Sequence, residues 1–596
     1  MTRLPSRAPG HLPAVLLALS SLASLASLQG GVAAQDLARF LPKDAQFTVV
    51  CDGPARIAER LAATNFGRLF ADPDAAPIRA IPGRVREMLV KLAERESVPL
   101  DVGSLFDRLA VYGGRMAIGA HVDLAASVEA KAPRFLISFV VEPHESIDLE
   151  ALAADLQRAV DESDAGTQAL EFGPGFQAAI DENGDGATVP RVVDGHLVMF
   201  AGSGLGTALA RIFDDHEGLG VTLPAASAES MIWGRGDGEL LRFFADMAAL
   251  AEEDGNPGFG DPSMPPSAIL RAIFERLALT EFEAGTAPFG EHLRSVGHIL
   301  TDASVPNLLD ILQPQEKSTP LLALVPALHP IWTSIRIDAA GLYDLICDVA
   351  ELAQPGLRGM LAESLQQEFG IDLQKDLLDA FDGQLIMLTD TFANFEGLAP
   401  GASLEDMEEV KGLYSFVLGL RDPPAFEKVL DGILRSRGLH AARKTVEYRN
   451  TKLRSMNVVV VQLHYAFVPE GIALGLGEAG AENVRKIVDQ SIARAEGQAP
   501  VSHSERIQKR LALLQSGWRD LSISDIAVPS STMNQLMDLA LADLDDHAED
   551  EFAAEFLELM RESITAYFKL ASRYDQMSSA AAIRLEPGRL SFESIQ

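Results

Sequence analysis

The sequence predicts an α+β protein with mainly antiparallel sheets, built as two similar halves in tandem. Three observations predict it. Hydrophobic residues make up 47% of the 596 residues, enough for several cores and too many for a disordered chain. Apolar strand-like runs are joined by explicit hairpin turns, in greater number than simple βαβ alternation provides. The order of elements before the polar linker 313–320 returns after it, over 277 residues (36–312) and then 276 (321–596). A chain this long is expected to hold about three to five packing units.

Each half opens with an extended run and a helix. The runs are Phe47-Thr48-Val49-Val50-Cys51 and Ile331 to Ile337, with Asp52 and Asp338 leading into the helices. A second helix is expected at about 78–96 and 356–369. The segments Leu100 to Leu109 and Ile371 to Phe381 match next, and each reaches a turn glycine and a strand: Gly114 to Ile118, and Gly383 to Met387. This first unit reads β-α-α-β-β.

A second unit, β-α-β-β-β-α, begins with the strands 134–141 and 413–420. Pro143 and Pro423 precede amphipathic helices with apolar stripes such as Phe426, Val429, Leu430 and Ile433, the i, i+3, i+4, i+7 spacing of a helix lying on a core. Hairpins follow, with turns expected at Asp194-Gly195 and Glu470-Gly471, because a two-residue turn favours residues that accept positive φ. A third unit resembling the first closes each half, from Met231 to strands near 279–301, and from Ile523 to strands near 579–593. Glu252–Ser267 and the acidic stretch Asp543–Glu551 read as loop-like insertions.

The N-terminus has the pattern of a secretory signal over residues 1–34. Arg3 and Arg7 are followed by the apolar stretch Leu12 to Leu28 and by Val32-Ala33-Ala34, with Gln35 as the expected first residue after cleavage. An uncleaved anchor is the alternative. The expected location is periplasmic or extracellular. No later run approaches the roughly 20 apolar residues of a membrane span, so no transmembrane segment is expected after cleavage. The net charge of -35 becomes -37 when the two arginines of the signal are removed. A field of that sign disfavours nucleic acid and anionic lipid, and favours solubility, cations or a basic protein partner. The two cysteines, Cys51 and Cys347, are expected as buried apolar thiols.

Four patterns are candidate sites. Gly475-Leu476-Gly477-Glu478-Ala479-Gly480 has dinucleotide-loop spacing, but it follows a hairpin arm and carries an acid that would repel phosphate, so a tight strand-to-helix corner is expected. Asp181, Asn183 and Asp185, with Gly186 at the sixth position, fit the start of a calcium loop. The twelfth position is Val192 where a bidentate Glu belongs. Calcium is therefore the one cofactor the sequence offers, through Asp181, Asn183 and Asp185. Among the histidines, His292 and His298 could share one side of a strand, though zinc would need two further ligands. Asp52, Asp237 and Asp338 recur ahead of helices, with Ser530 or Ser531 in the fourth copy. An Asp-to-Ser exchange keeps capping chemistry and abolishes carboxylate chemistry, so these are expected as N-caps.

Three stretches carry a family resemblance: Leu41-Pro42-Lys43-Asp44, Gly370–Leu373 leading to Gly383, and Pro469–Gly471 followed by Gly475-Leu476-Gly477. In these the chain resembles a group of large exported bacterial proteins gathered as a domain of unknown function, number 3352. The resemblance covers most of the chain after the signal. It implies export and repeated α+β units, and it brings no activity and no site residues.

No repeated pair of catalytic groups emerges, since turn glycines, caps and apolar stripes are what recur between the halves. The sequence therefore points to a non-enzymatic binding or scaffold protein, with an apolar-ligand carrier as one form. The alternatives are a hydrolase whose site is assembled by the fold, recognisable by a His within about 3 Å of a Ser or carboxylate, and a calcium-binding surface protein.

Overall fold

The computed structural model describes residues 37–95, 115–123, 134–142, 168–172, 176–180, 185–206, 219–239, 275–305, 307–312, 321–353, 356–389, 414–458, 461–498, 503–525, 551–576 and 578–596, with a few single positions between them. The signal 1–34, the linker 313–320, Asp181 and Asn183 of the calcium loop, the segment Leu100–Leu109, the insertion 252–267 and Ser530 and Ser531 lie outside the described residues.

The chain divides into two units, residues 1–267 with 280–297, and residues 268–279 with 298–596. In the first, the strands are β1 (Phe47–Asp52), β2 (Arg115–Val122), β3 (Phe135–Val141), β4 (Gln168–Phe172), β5 (Phe176–Ile180), β6 (Gly186–Thr188), β7 (Arg191–Val193), β8 (His196–Ser203), β9 (Ile232–Asp237) and β10 (Leu279–Phe289). Strand β11 (His292–Thr301) contains the boundary between the units. The second unit adds β12 (Ile331–Arg336), β13 (Phe381–Thr389), β14 (Tyr414–Leu420), β15 (Lys444–Tyr448), β16 (Thr451–Val458), β17 (Val461–Val468), β18 (Gly471–Leu476), β19 (Asp520–Asp525), β20 (Ser578–Glu586) and β21 (Arg589–Ile595). The helices used below are α1 (Pro54–Leu61), α2 (Ala339–Ala353), α3 (Leu357–Phe369), α4 (Pro423–Ser436), α5 (Gly477–Ala495), α6 (Glu505–Leu513) and α7 (Glu551–Arg573).

Every one of these pairings is antiparallel. The sheet of the first unit runs β4-β5-β6-β8-β3-β2-β1-β9-β10, with β7 also on β8. That of the second runs β15-β16-β17-β18-β14-β13-β12-β19-β20-β21. Helices together with large antiparallel sheets make the fold α+β.

Two-sided burial explains the apolar composition of the central strands. In β14, β17 and β18, Val417, Ala466, Val468 and Ala473 pack on one face with Val484, Ile487 and Val488 of α5. Their neighbours Leu420, Tyr465 and Ile472 pack on the other face with Phe426, Leu430 and Leu434 of α4. Of the expected α4 stripe, Leu434 is buried there and Phe426 and Leu430 are half-buried against the same cluster. Helix α4 starts at Pro423, and Asp422 caps it by accepting from the Ala425 amide at 2.9 Å.

Three details differ from the sequence reading. The second hairpin turns at Pro469-Glu470, not at Glu470-Gly471. Gly471 pairs with Val468 inside the sheet, where an added Cβ would lie 2.0 Å from the Leu418 carbonyl oxygen, so this glycine serves close strand approach. In the other hairpin, Asp194 and Gly195 do take positive φ (49° and 78°), as a two-residue turn of this type requires. Gly383 (φ 89°) lies within β13 at a register shift, a bulge and not a turn. Finally, the 23-residue helix Glu551–Arg573 (α7) fills sequence in which no helix is expected; it begins at the last residue of the expected acidic loop, whose residues 543–550 lie outside the described residues.

Candidate functional site

The glycine-rich segment is a tight corner. Strand β18 ends at Leu476 and α5 begins at Gly477 (φ 67°), with no side chain capping it. Added Cβ atoms would place Gly475 2.3 Å from the Gly480 carbonyl oxygen and Gly480 2.4 Å from the Gly475 carbonyl carbon. The two glycines therefore exist to bring strand and helix backbones into contact, which leaves no need for a nucleotide to explain them.

Of the calcium-loop residues, Asp185 is described. Its Oδ1 accepts from the Ser203 hydroxyl at 2.7 Å and from the Gly204 amide at 3.2 Å, and Arg134 lies 3.6 Å away. This carboxylate ties the start of β6 to the end of β8. Among the described residues no group of three or more His, Cys, Asp or Glu is arranged to hold a metal ion.

The recurrent aspartates part company. Asp338 Oδ1 accepts from the Ala340 amide at 3.1 Å and Asp237 Oδ1 from the Glu239 amide at 2.8 Å, both in the manner of caps. Asp52 does not cap. The N-cap of α1 is Gly53, with Pro54 at the first position and no side-chain bond. Asp52 instead ends β1 inside the protein, where its carboxylate meets Arg115 Nε at 2.6 Å and Arg60 Nη1 at 3.4 Å. The reason is register: Asp52 stands directly opposite Arg115 on β2, and cross-strand partners share a face. Burial pushes the Asp52 carboxyl up to about 6, against the pull of Arg115, Arg60 and Arg56. Burial and the Asp52 charge push the adjacent Cys51 thiol up to about 12, so it is no nucleophile at neutral pH. Both cysteines are buried and unpaired with each other, as expected.

The second unit holds a different cluster. Asp520, the first residue of β19, is buried, with Arg336 and Arg519 at 3.9 and 3.7 Å; burial raises its carboxyl to about 6 while those arginines oppose the shift. Glu593 on β21 is also buried, accepting from the Gln515 amide at 3.0 Å and pairing with Arg584 at 3.3 Å. Two residues along the same ladder, Ser591 lies opposite Arg584. Its hydroxyl oxygen is 2.9 Å from Nδ1 of His298 on β11. Burial first, then Arg589 and Arg584, lowers the His298 pKa, which keeps the imidazole neutral and able to accept a proton. A hydroxyl against a neutral imidazole is the first half of a nucleophile-base arrangement. Ser591 itself is buried, at 4% exposure. His292, at the start of the same strand, lies beside Glu291 at 3.8 Å.

Sequence reasoning missed the Asp52–Arg115 pair, because opposition across strands needs a register. It missed His298–Ser591 for the same reason, the two residues being 293 positions apart. A third feature was legible and overlooked. Residues 435–454 contain seven Lys and Arg against the single acid Glu447, in a chain with 50 basic and 85 acidic residues.

Among the described residues, no helix is long and apolar enough to cross a membrane. No protein-family model matches the chain, and no curated protein does. Among solved structures, it is similar to the protein TP0453 in crystal form IV, at 11% identity over 45% of this chain and 81% of that one, with a TM-score of 0.22. Crystal form I of the same protein gives 10% identity over 47% and 83%, again with a TM-score of 0.22.

Proposed function

We propose that the chain is an exported, non-enzymatic binding or scaffold protein built from two tandem copies of one α+β half. The duplication is supported by strand order. In both units a set of meandering strands feeds, through β8 or β18, into β3-β2-β1-β9-β10 or β14-β13-β12-β19-β20. Export rests on the pattern of residues 1–34, and sequencing the N-terminus of the secreted protein tests it, with Gln35 expected first.

The observation that carries the binding reading is apolar surface on one helical pair. Ile346 of α2 and Met360 and Leu361 of α3 are 57%, 46% and 41% exposed. These helices are clamped by Arg358, which reaches Asp344 at 3.0 Å and Asp348 at 2.7 Å. Apolar side chains on a clamped pair gain nothing from the fold, and covering each offers about 1–2 kcal/mol to a ligand or partner. Native mass spectrometry of gently purified protein, with cross-linking in parallel, should find a bound apolar ligand or protein. That species should be lost from an Ile346→Ser, Met360→Ser variant. A protein empty by both measurements would overturn the reading.

A second reading, a hydrolase, is favoured by the 2.9 Å contact between His298 and Ser591. It requires a fluorophosphonate probe to label the chain and Ser591→Ala to abolish the label. An unlabelled chain ends it. The calcium proposal, through Asp181, Asn183 and Asp185, requires calorimetric binding at millimolar calcium that Asp185→Asn removes.

A further inference from the structure

We propose that strand β15 is a docking edge for an extended acidic segment of another protein, which joins the sheet as an added strand; the proposal rests on the binding reading and names its partner class. Among the described residues β15 pairs with β16 alone. Four of its five residues are exposed, and Val446 at its centre is 63% exposed. A strand with one open side presents unpaired backbone donors and acceptors, the template for strand addition.

Which groups are open follows from the turn. Arg449 and Asn450 take φ of 48° and 63°, a two-residue hairpin that closes on the hydrogen-bonded pair Tyr448–Thr451. Hydrogen-bonded pairs recur at every second residue, so Val446 and Lys444 also face β16 with their backbone groups. Thr445 and Glu447 are left to turn their amide and carbonyl groups outward.

Charge selects the occupant. Four of the seven basic residues of 435–454 are spent inside the fold: Arg437 on Glu368, Arg443 on Asp431, Arg449 on Asp489 and Arg454 on Glu427. Lys444 and Lys452 have no ion-pair partner among the described residues. Register places Lys444 on the face of Val446 and Lys452, opposite Glu447, on the other. An incoming strand with acids on the Val446 face meets Lys444 directly; on the other face it meets Thr445 and Glu447, with Lys452 one strand further in.

The test uses the full chain and a fluorescein-labelled octapeptide, Glu-Val-Glu-Thr-Glu-Val-Glu-Thr, followed by anisotropy. Saturable binding that weakens with salt is expected. Thr445→Pro, which removes an outward amide and no ladder bond, should weaken it at least about tenfold. The octapeptide's glutamates share one face, so Lys444→Glu should weaken binding about two- to fivefold and Lys452→Glu by less. Because Thr445→Pro could disturb the hairpin, a peptide N-methylated at alternate residues is the second probe, and it should fail to bind the unaltered chain. The proposal is overturned if the N-methylated peptide binds equally, or if a Lys-for-Glu peptide does. It is also overturned if sedimentation shows the chain associating with itself through a contact that Thr445→Pro removes. Should the octapeptide fail while a partner still co-isolates in native mass spectrometry, the edge is wrong and the binding reading stands.

Discussion

Asp52 ends the first strand of its unit, Asp338 lies just past that of the other, and a helix follows both, yet one is buried against an arginine and the other caps. The difference lies in two neighbours. Asp338 stands two residues past the end of β12, free to turn back on the Ala340 amide. Asp52 is still in the ladder, opposite Arg115, and Gly53-Pro54 starts the helix without it. A recurrent acid therefore carries no fixed role. The strand end alone does not decide it, since Asp237 ends β9 and still caps; the cross-strand partner differs, Glu281 for Asp237 and Arg115 for Asp52.

The largest effect should come from breaking the buried pair. Arg115→Met leaves a carboxylate inside the protein without its closest partner, and urea unfolding should show a loss of about 3–5 kcal/mol. The double variant Asp52→Leu, Arg115→Met should recover most of that loss. If both variants are equally destabilised, the unpaired Asp52 carboxylate is not the source of the loss.

The corner glycines sharpen the comparison from the other side, because they occupy matched registers: Gly202 opposite Leu136, and Gly475 opposite Ser415. A Cβ on Gly202 would lie 2.0 Å from the Phe135 carbonyl oxygen. Gly202→Ala and Gly475→Ala should each lower stability by about 1–3 kcal/mol in thermal or urea unfolding. Asp338→Ala should cost about 1 kcal/mol, the ordinary value of a lost cap. Asp52→Ala, by contrast, should cost clearly more than Asp338→Ala, since it strands Arg115; equal losses would erase the distinction between the two aspartates.

The smallest effect is on pH dependence. Asp52 titrates near 6 in the folded protein and near 3.8 when unfolded, so the folded state holds the extra proton between those values. Its contribution must make stability fall as pH rises from about 4 to about 6, then level off. Asp520 contributes with the same sign in the other unit. Urea midpoints measured at pH 4, 5, 6 and 7 should show a shallower fall in Asp52→Asn than in the parent chain. An equal fall in both would remove Asp52 as its source.

Much of the strand framework was readable because alternation, hairpin turns and apolar runs are local properties. The tightness of the Gly475–Gly480 corner was readable for the same reason. What escaped the sequence was opposition between strands distant in the chain: Arg115 against Asp52, Ser591 against His298, Arg336 against Asp520. Each depends on register, and a one-residue slip would turn every one of these side chains to the other face. The Glu470-Gly471 turn was misplaced because a glycine needed for close packing looks, in sequence, like a glycine needed for positive φ. The basic hairpin was countable from the beginning, but a local excess of charge disappears inside a strongly negative total.

In each unit the first strand waits for a late partner. Strand β1 pairs with β9 through Val49 and Gly234, and β12 pairs with β19, where the Thr333 and Ser522 hydroxyls meet at 2.9 Å across 189 residues. Closing such loops costs entropy before any contact rewards it, and high contact order slows folding. Synthesis must therefore run well past the middle of each half before β1 or β12 is flanked on both sides. A truncation ending before β9 or β19 would expose a long hydrophobic strand edge, so aggregation, more than partial function, is the fate to expect of shortened forms.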